Sequence, residues 1–114
     1  MNSNLPLQPS FSHLGLYVKN VAKMEKFYCD VLGFYVTDRL GKGDKEMVFL
    51  SRSLREHHQI VLAPGRPEKS HSTINQISFE IESLSSLIKA YHSLNKLDIS
   101  GIQSMNHGGS WSLY

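Results

Sequence analysis

Apolar and polar residues alternate with period two over Phe11-Ser-His-Leu-Gly-Leu-Tyr-Val18, and the alternation returns over Ile74-Asn-Gln-Ile-Ser-Phe-Glu-Ile81. A shift of 63 positions, which carries His13 onto Gln76, superposes the two stretches. Leu14 then meets Ile77, Leu16 meets Phe79 and Val18 meets Ile81, while Gly15 meets Ser78 and Tyr17 meets Glu80. Period two predicts a half-buried strand in each copy, with the aliphatic residues on a core face and the polar set on the opposite face. The same shift pairs Asn20 with Ser83, both residue types that cap helix N-termini. Behind each cap runs an apolar stripe at helical spacing: Val21, Met24, Phe27, Tyr28 and Val31 in one copy, Leu84, Leu87, Ile88, Tyr91 and Leu94 in the other. Strand, cap and stripe sharing one offset predict a tandem duplication.

The remaining pattern fills out the first copy. Gly33 suits a left-handed helix end. Phe34–Asp38, Glu46–Leu50 and His57–Leu62 read as strands two, three and four, with Gly41-Lys-Gly-Asp-Lys45 as a turn and Pro64-Gly-Arg-Pro67 as the stop. The second copy repeats the order with a strand at 74–81, a helix over about 84–95, a short strand near Ile99–Ile102, a loop at Gly108-Gly109 and a strand from Trp111. Trp111–Leu113 corresponds to Val48–Leu50, so the counterpart of His58–Leu62 falls beyond Tyr114. The expected fold is α+β: tandem βαβββ modules, the second lacking its last strand. Residues 1–10 are expected as a flexible arm, 11–63 as module one, 64–73 as a linker and 74–114 as partial module two. Val21, Met24, Phe27, Val31, Leu84, Leu87, Ile88 and Leu94 are expected to be buried against the sheets.

Composition narrows the function classes. With 114 residues, 40% hydrophobic and 19% charged, the chain suits one modest globular domain. A net charge of +2 with scattered Lys and Arg gives no basic stripe for nucleic acid. No apolar run approaches a membrane span, and Met1-Asn-Ser-Asn-Leu-Pro has neither the basic nor the apolar region of a signal peptide. The single Cys29 excludes an internal disulfide, so a reducing cytoplasm is the expected location.

Three polar residues stand at positions where chemistry could gather. His13 and Gln76 open the repeated strands, and His58 opens the fourth. In a βαβββ unit the helix covers one sheet face, so His13 and Gln76 belong to the other. His58 joins them if residues 58, 60 and 62 share that face; adjacent His57 would then point away. Taken singly, a histidine at a strand start is more often a surface or hydrogen-bonded group than a ligand, and a Gln more often a structural hydrogen-bond donor and acceptor. Cys29, beside its helical stripe, reads as an inert buried thiol.

The segments His13-Leu-Gly-Leu-Tyr-Val, Phe27-Tyr-Cys-Asp-Val-Leu-Gly-Phe34 and His57-His-Gln-Ile-Val-Leu closely resemble the vicinal oxygen chelate superfamily. That superfamily includes glyoxalase I, extradiol dioxygenases, and the bleomycin and fosfomycin resistance proteins. The wording resembles most closely small proteins related to biphenyl-2,3-diol 1,2-dioxygenase of the type III group, from about Phe11 to Tyr114. The resemblance implies paired modules forming a cup-shaped mixed sheet around a divalent metal, with His13, His58 and Gln76 as ligands. It also implies a closing Glu that would lie beyond Tyr114. Tyr17, Glu80 and His107 become the acid–base candidates. The implied activity is ring cleavage of a catechol-type vicinal diol with Fe2+ or Mn2+. The alternatives are a glyoxalase I-type isomerisation with Ni2+ or Zn2+, or a bleomycin-resistance-like protein that binds a small molecule without metal. The implied partners are a small-molecule substrate and a second copy of the chain, in a homodimer whose cups are shared.

Overall fold

The computed structural model describes residues 6–97, 99, 102, 104–106 and 111–113. The chain divides into two compact units, Met1–His71 and Ser72–Tyr114, and the fold is mixed α+β.

The first unit is a βαβββ module. Strand β1 (Leu14–Val18) leads to helix α1 (Val21–Asp30), followed by β2 (Tyr35–Leu40), β3 (Met47–Ser51) and β4 (Ile60–Pro64). The sheet order is β1-β4-β3-β2, with β1 parallel to β4 and the other pairs antiparallel. Asn20 caps α1 as its residue type predicts, its side chain accepting from the Lys23 amide at 3.0 Å. Gly41 (φ 91°) holds the turn before β3, where an added Cβ would stand 2.7 Å from the Lys45 carbonyl oxygen.

The core lies between α1 and one face of the sheet. Leu50 and Leu62 have no exposed surface, and Val18, Tyr28, Phe34, Val48 and Ile60 are buried around them. Val21, Met24 and Phe27 of the expected helix stripe pack here but are only half-buried, as is Val31. Tyr28 is the buried helix residue, its ring meeting Phe27 and Phe34 edge-on at 5.8 and 5.4 Å. One helix over four strands leaves its flanks open, so only the residue pointing straight at the sheet is fully covered.

The second unit departs from the expected replay. Residues 74–81 form no strand, and Ile74, Phe79 and Ile81 are exposed. The first module shows why. Among the described residues β1 pairs with β4, far along the chain, so an alternating stretch becomes a strand only where such a partner meets it. Helix α2 (Leu84–Lys96) does form, capped by Ser83, whose hydroxyl accepts from the Ser86 amide at 3.2 Å. No residue of α2 is buried, and Leu84 and Ile88 are each 50% exposed, against the expectation for Leu84, Leu87, Ile88 and Leu94. Strands β5 (Ser104–Asn106) and β6 (Trp111–Leu113) pair antiparallel. The third-strand expectation matches β6, whereas Ile99 and Ile102 lie outside any strand and the second strand comes later, at β5.

Replacing fully buried Leu50 by Ala should destabilise the protein by about 2–5 kcal/mol through cavity formation, and half-buried Phe27→Ala should cost less. Urea unfolding of the two variants checks this ordering; a Phe27→Ala loss equal to that of Leu50→Ala would contradict the placement.

Candidate metal-binding site

Because β1 and β4 run parallel, both strands start at the same end of the sheet. The ladder pairs Leu14 with Ile60, and just before it the Leu14 amide donates to the Gln59 carbonyl at 3.0 Å. Leu14, Leu16 and Val18 face the core, so His13, Gly15 and Tyr17 take the opposite face.

His58 reaches that face by a different route from the expected one. Residues 58, 60 and 62 do not share it: Ile60 and Leu62 are core residues. The strand begins only at Ile60, however, and His58 lies outside the pleat that would have turned it inward. Its ring stands 4.3 Å from that of His13, centroid to centroid, and 5.0 Å from that of Phe49 at 90°. His57 does not point away. Its ring is 5.2 Å from that of His58, with the two Nδ1 atoms 2.9 Å apart. On the other side, the Ser12 hydroxyl lies 2.9 Å from Nδ1 of His13. Each member of the His13–His58 pair therefore has Nδ1 engaged, which leaves Nε2 for a further partner.

Burial holds the His58 imidazole below the ordinary value near 6.5, and the neighbouring His13 and His57 push it the same way. The ring therefore stays neutral, as a ligand must be, to a lower pH than a free histidine.

An open cavity of about 450 Å3 lies on the sheet face that carries Gly15 and Tyr17, the residues that follow His13 along β1. Gly15, Tyr17, Lys45, Met47, Val61 and Ala63 line it. Val61 is the link, since the ladders pair it with Gly15 on one side and Phe49 on the other. Tyr17, 73% exposed, thus stands at the cavity as an accessible phenol.

Gln76 and Glu80 are exposed residues of the second unit, and His107 lies outside the described residues. Among the described residues no cluster of three or more His, Cys, Asp or Glu is positioned to hold a metal ion. The His13–His58 pair by itself fits two positions of a divalent transition-metal site, since imidazole suits zinc, iron and nickel alike. Sequence reasoning missed Ser12, Asp38 and Phe49 as neighbours of the site. A shared polar face hints at Phe49, but the position of Asp38 depends on an irregularity in β2 that leaves no mark in the alternation.

Residues 10–114 match the family model described as the glyoxalase/bleomycin resistance protein/dioxygenase superfamily, and the chain belongs to that family. No curated protein sequence matches it. Among solved structures, it is similar to an integron cassette protein from the mobile metagenome of the Halifax Harbour sewage outfall. That match has 25% identity and a TM-score of 0.58, covering 85% of this chain and 75% of the other. It is also similar in fold to the trypanothione-dependent glyoxalase I of Leishmania major, with 17% identity and a TM-score of 0.64, covering 90% of this chain and 75% of that enzyme. A third match, 2,2',3-trihydroxybiphenyl 1,2-dioxygenase from Sphingomonas wittichii RW1, has 23% identity over 83% of this chain and 32% of the enzyme, and its TM-score of 0.42 carries no weight here. No helix among the described residues is long and apolar enough to cross a membrane.

The depressed His58 pKa fixes the sign of a pH effect. Above about pH 6.5 the folded and unfolded forms are both neutral at this ring, and its contribution to stability is complete. As pH falls through that value the unfolded chain takes up the proton first, so stability declines until the folded ring protonates as well. Proton NMR of the metal-free protein should give a His58 midpoint below 6.5, moved upward by His13→Ala. A midpoint at or above 6.5 would contradict the assigned environment.

Proposed function

We propose that the chain is a metal-dependent enzyme acting on a small molecule with two neighbouring oxygens, and that its reaction is ring cleavage of a catechol-type substrate. The observation that supports this most is the His13–His58 pair, two imidazoles 4.3 Å apart at the start of β1, the strand whose Gly15 and Tyr17 line an open cavity. Family membership adds weight, since members of this superfamily commonly use divalent metals. His13 and His58 would hold the ion, and Gln76, the repeat partner of His13, would add a weak amide oxygen. Bound there, Fe2+ or Mn2+ would supply Lewis-acid polarisation and electron transfer to oxygen.

The chain's own residues would do the rest. The apolar walls at Met47, Val61 and Ala63 would take an aromatic ring, and the absent side chain of Gly15 keeps the approach open. The phenol of Tyr17 would move a proton at the substrate oxygen, with Glu80 and His107 as further acid–base groups. Glyoxalase-type isomerisation, with Ni2+ or Zn2+, is the closest rival. Absorbance assays separate the two: ring cleavage of 2,3-dihydroxybiphenyl gives a yellow product, and the isomerase changes thioester absorbance.

A specific observation favours a second reading, a metal-free protein that only sequesters a small molecule. His13, His58 and Gln76 are all neutral ligands, so none of them offsets a cation's charge. Calorimetric titration of zinc or manganese decides between the readings. The metal reading expects heat with wild type, none with His13→Ala, and tighter binding with Gln76→Glu, which restores an anionic ligand. Negligible heat in all three leaves the metal-free reading.

We propose further that the protein is a homodimer, in the reducing cytoplasm that its lone Cys29 suits. Among the described residues β1 is an edge strand of the first-unit sheet, and the exposed Ile74, Phe79 and Ile81 offer apolar surface to a second copy. Light scattering at micromolar concentration should return twice the 12.9 kDa chain mass; a monomeric mass would count against it.

A further inference from the structure

β2 and β3 do not pair in a single register: the ladder shifts between Val36 and Asp38. Val36 faces Leu50, but the next residue across, Phe49, is met by Asp38. Thr37 is the extra residue, its hydroxyl donating to the Phe49 carbonyl at 3.2 Å. In an unbroken ladder Thr37 would stand opposite Phe49. The bulge substitutes a carboxylate on the face that carries Phe49 and the histidines, the kind of re-aiming for which bulges are kept.

There Oδ2 of Asp38 comes within 3.9 Å of Nε2 of His57, and Nδ1 of His57 lies 2.9 Å from Nδ1 of His58. We propose that Asp38 and His57 are positioning residues that fix the tautomer of His58, leaving its Nε2 as a bare lone pair. The contact between the two rings takes one proton, and the charge of Asp38 selects which ring supplies it. An ionised carboxylate only accepts, and its charge favours the proton on the ring nitrogen that faces it. At 3.9 Å this is a field effect rather than a direct hydrogen bond. Neutral His57 then carries its proton on Nε2, and its Nδ1 is an acceptor. The contact between the two Nδ1 atoms requires one proton, which His58 must supply. His58 is therefore protonated on Nδ1 and bare on Nε2. The Phe49 ring stands edge to face with His58 at 5.0 Å.

His13 lacks such a lock. Ser12 can donate to its Nδ1 or accept from it, so that contact selects neither tautomer. The assignment rests on the metal reading only for what the bare Nε2 is used for. Outer partners that orient a ligand histidine typically change metal affinity by about 10–100-fold.

Long-range proton–nitrogen correlation of the imidazoles in 15N-labelled, metal-free protein at pH 8 tests this, alongside zinc calorimetry. The expected spectrum has His58 protonated on Nδ1 and His57 on Nε2. His57→Phe should release His58 from the single form, and Asp38→Asn should do so more weakly through His57. Both positions are exposed, so thermal midpoints of the metal-free variants should stay near wild type, while zinc affinity of His57→Phe falls about 10-fold. His58 protonated on Nε2 in wild type overturns the lock, and so does a His58 tautomer indifferent to His57→Phe. If the tautomers are as expected and zinc gives no heat with wild type, the lock stands and the metal reading falls. If zinc binds while His58 carries its proton on Nε2, the reverse holds.

Discussion

The parallel pairing of β1 with β4 is the constraint on which the first unit depends. An antiparallel neighbour would place the start of β1 beside the end of its partner. The parallel one places both starts together, with Leu14 opposite Ile60, so the residues just upstream of each ladder meet. His13 and His58 are those residues. The same pairing aligns Leu14, Leu16 and Val18 with Ile60 and Leu62 over α1, so the core and the histidine pair come from one register on two faces. A slip of one residue would lose both together.

Irregularities at strand ends do what a regular ladder could not. His58 has the parity of a core residue and reaches the opposite face only because β4 starts two residues later. Asp38 has its position because β2 takes in one extra residue at Thr37. Regular pleating builds the hydrophobic layer, and the departures from it bring polar groups together at one end of the sheet. The Arg39 guanidinium, bonded to both carboxylate oxygens of Glu25 at 2.9 and 2.8 Å, ties α1 to β2 beyond the bulge. Its half-exposed setting makes it worth at most about 1 kcal/mol.

What could be read from sequence follows the same division. The strands, both helix caps and the turn glycines were legible, because alternation, Asn20, Ser83 and Gly41 are local signals. The repeat itself was legible, but not its consequence for residues 74–81. Whether an alternating stretch becomes a strand depends on a partner far along the chain, and period two says nothing of that partner. His13 and His58 could be named as candidates from the strand ends on which they lie. Their meeting could not be derived by parity, since the parity argument required Ile60 and Leu62 to face away from the core. The contacts of His57 with His58 and Asp38 were hidden for a similar reason, because a bulge is a property of two strands and appears in neither alone.

The order of strands in the first module also sets an order in time. β1 is the first strand made and β4 the last, and β1 has no other partner in its sheet. From Leu14 to Ile60 a ribosome adds 46 residues, about 2–9 s at ordinary synthesis rates. For that interval Leu14, Leu16 and Val18 are without their ladder, whereas β2 and β3, adjacent in sequence, pair soon after Ser51 emerges. The strand that carries His13 thus waits for β4, and its ladder can close only once Pro64 has cleared the tunnel.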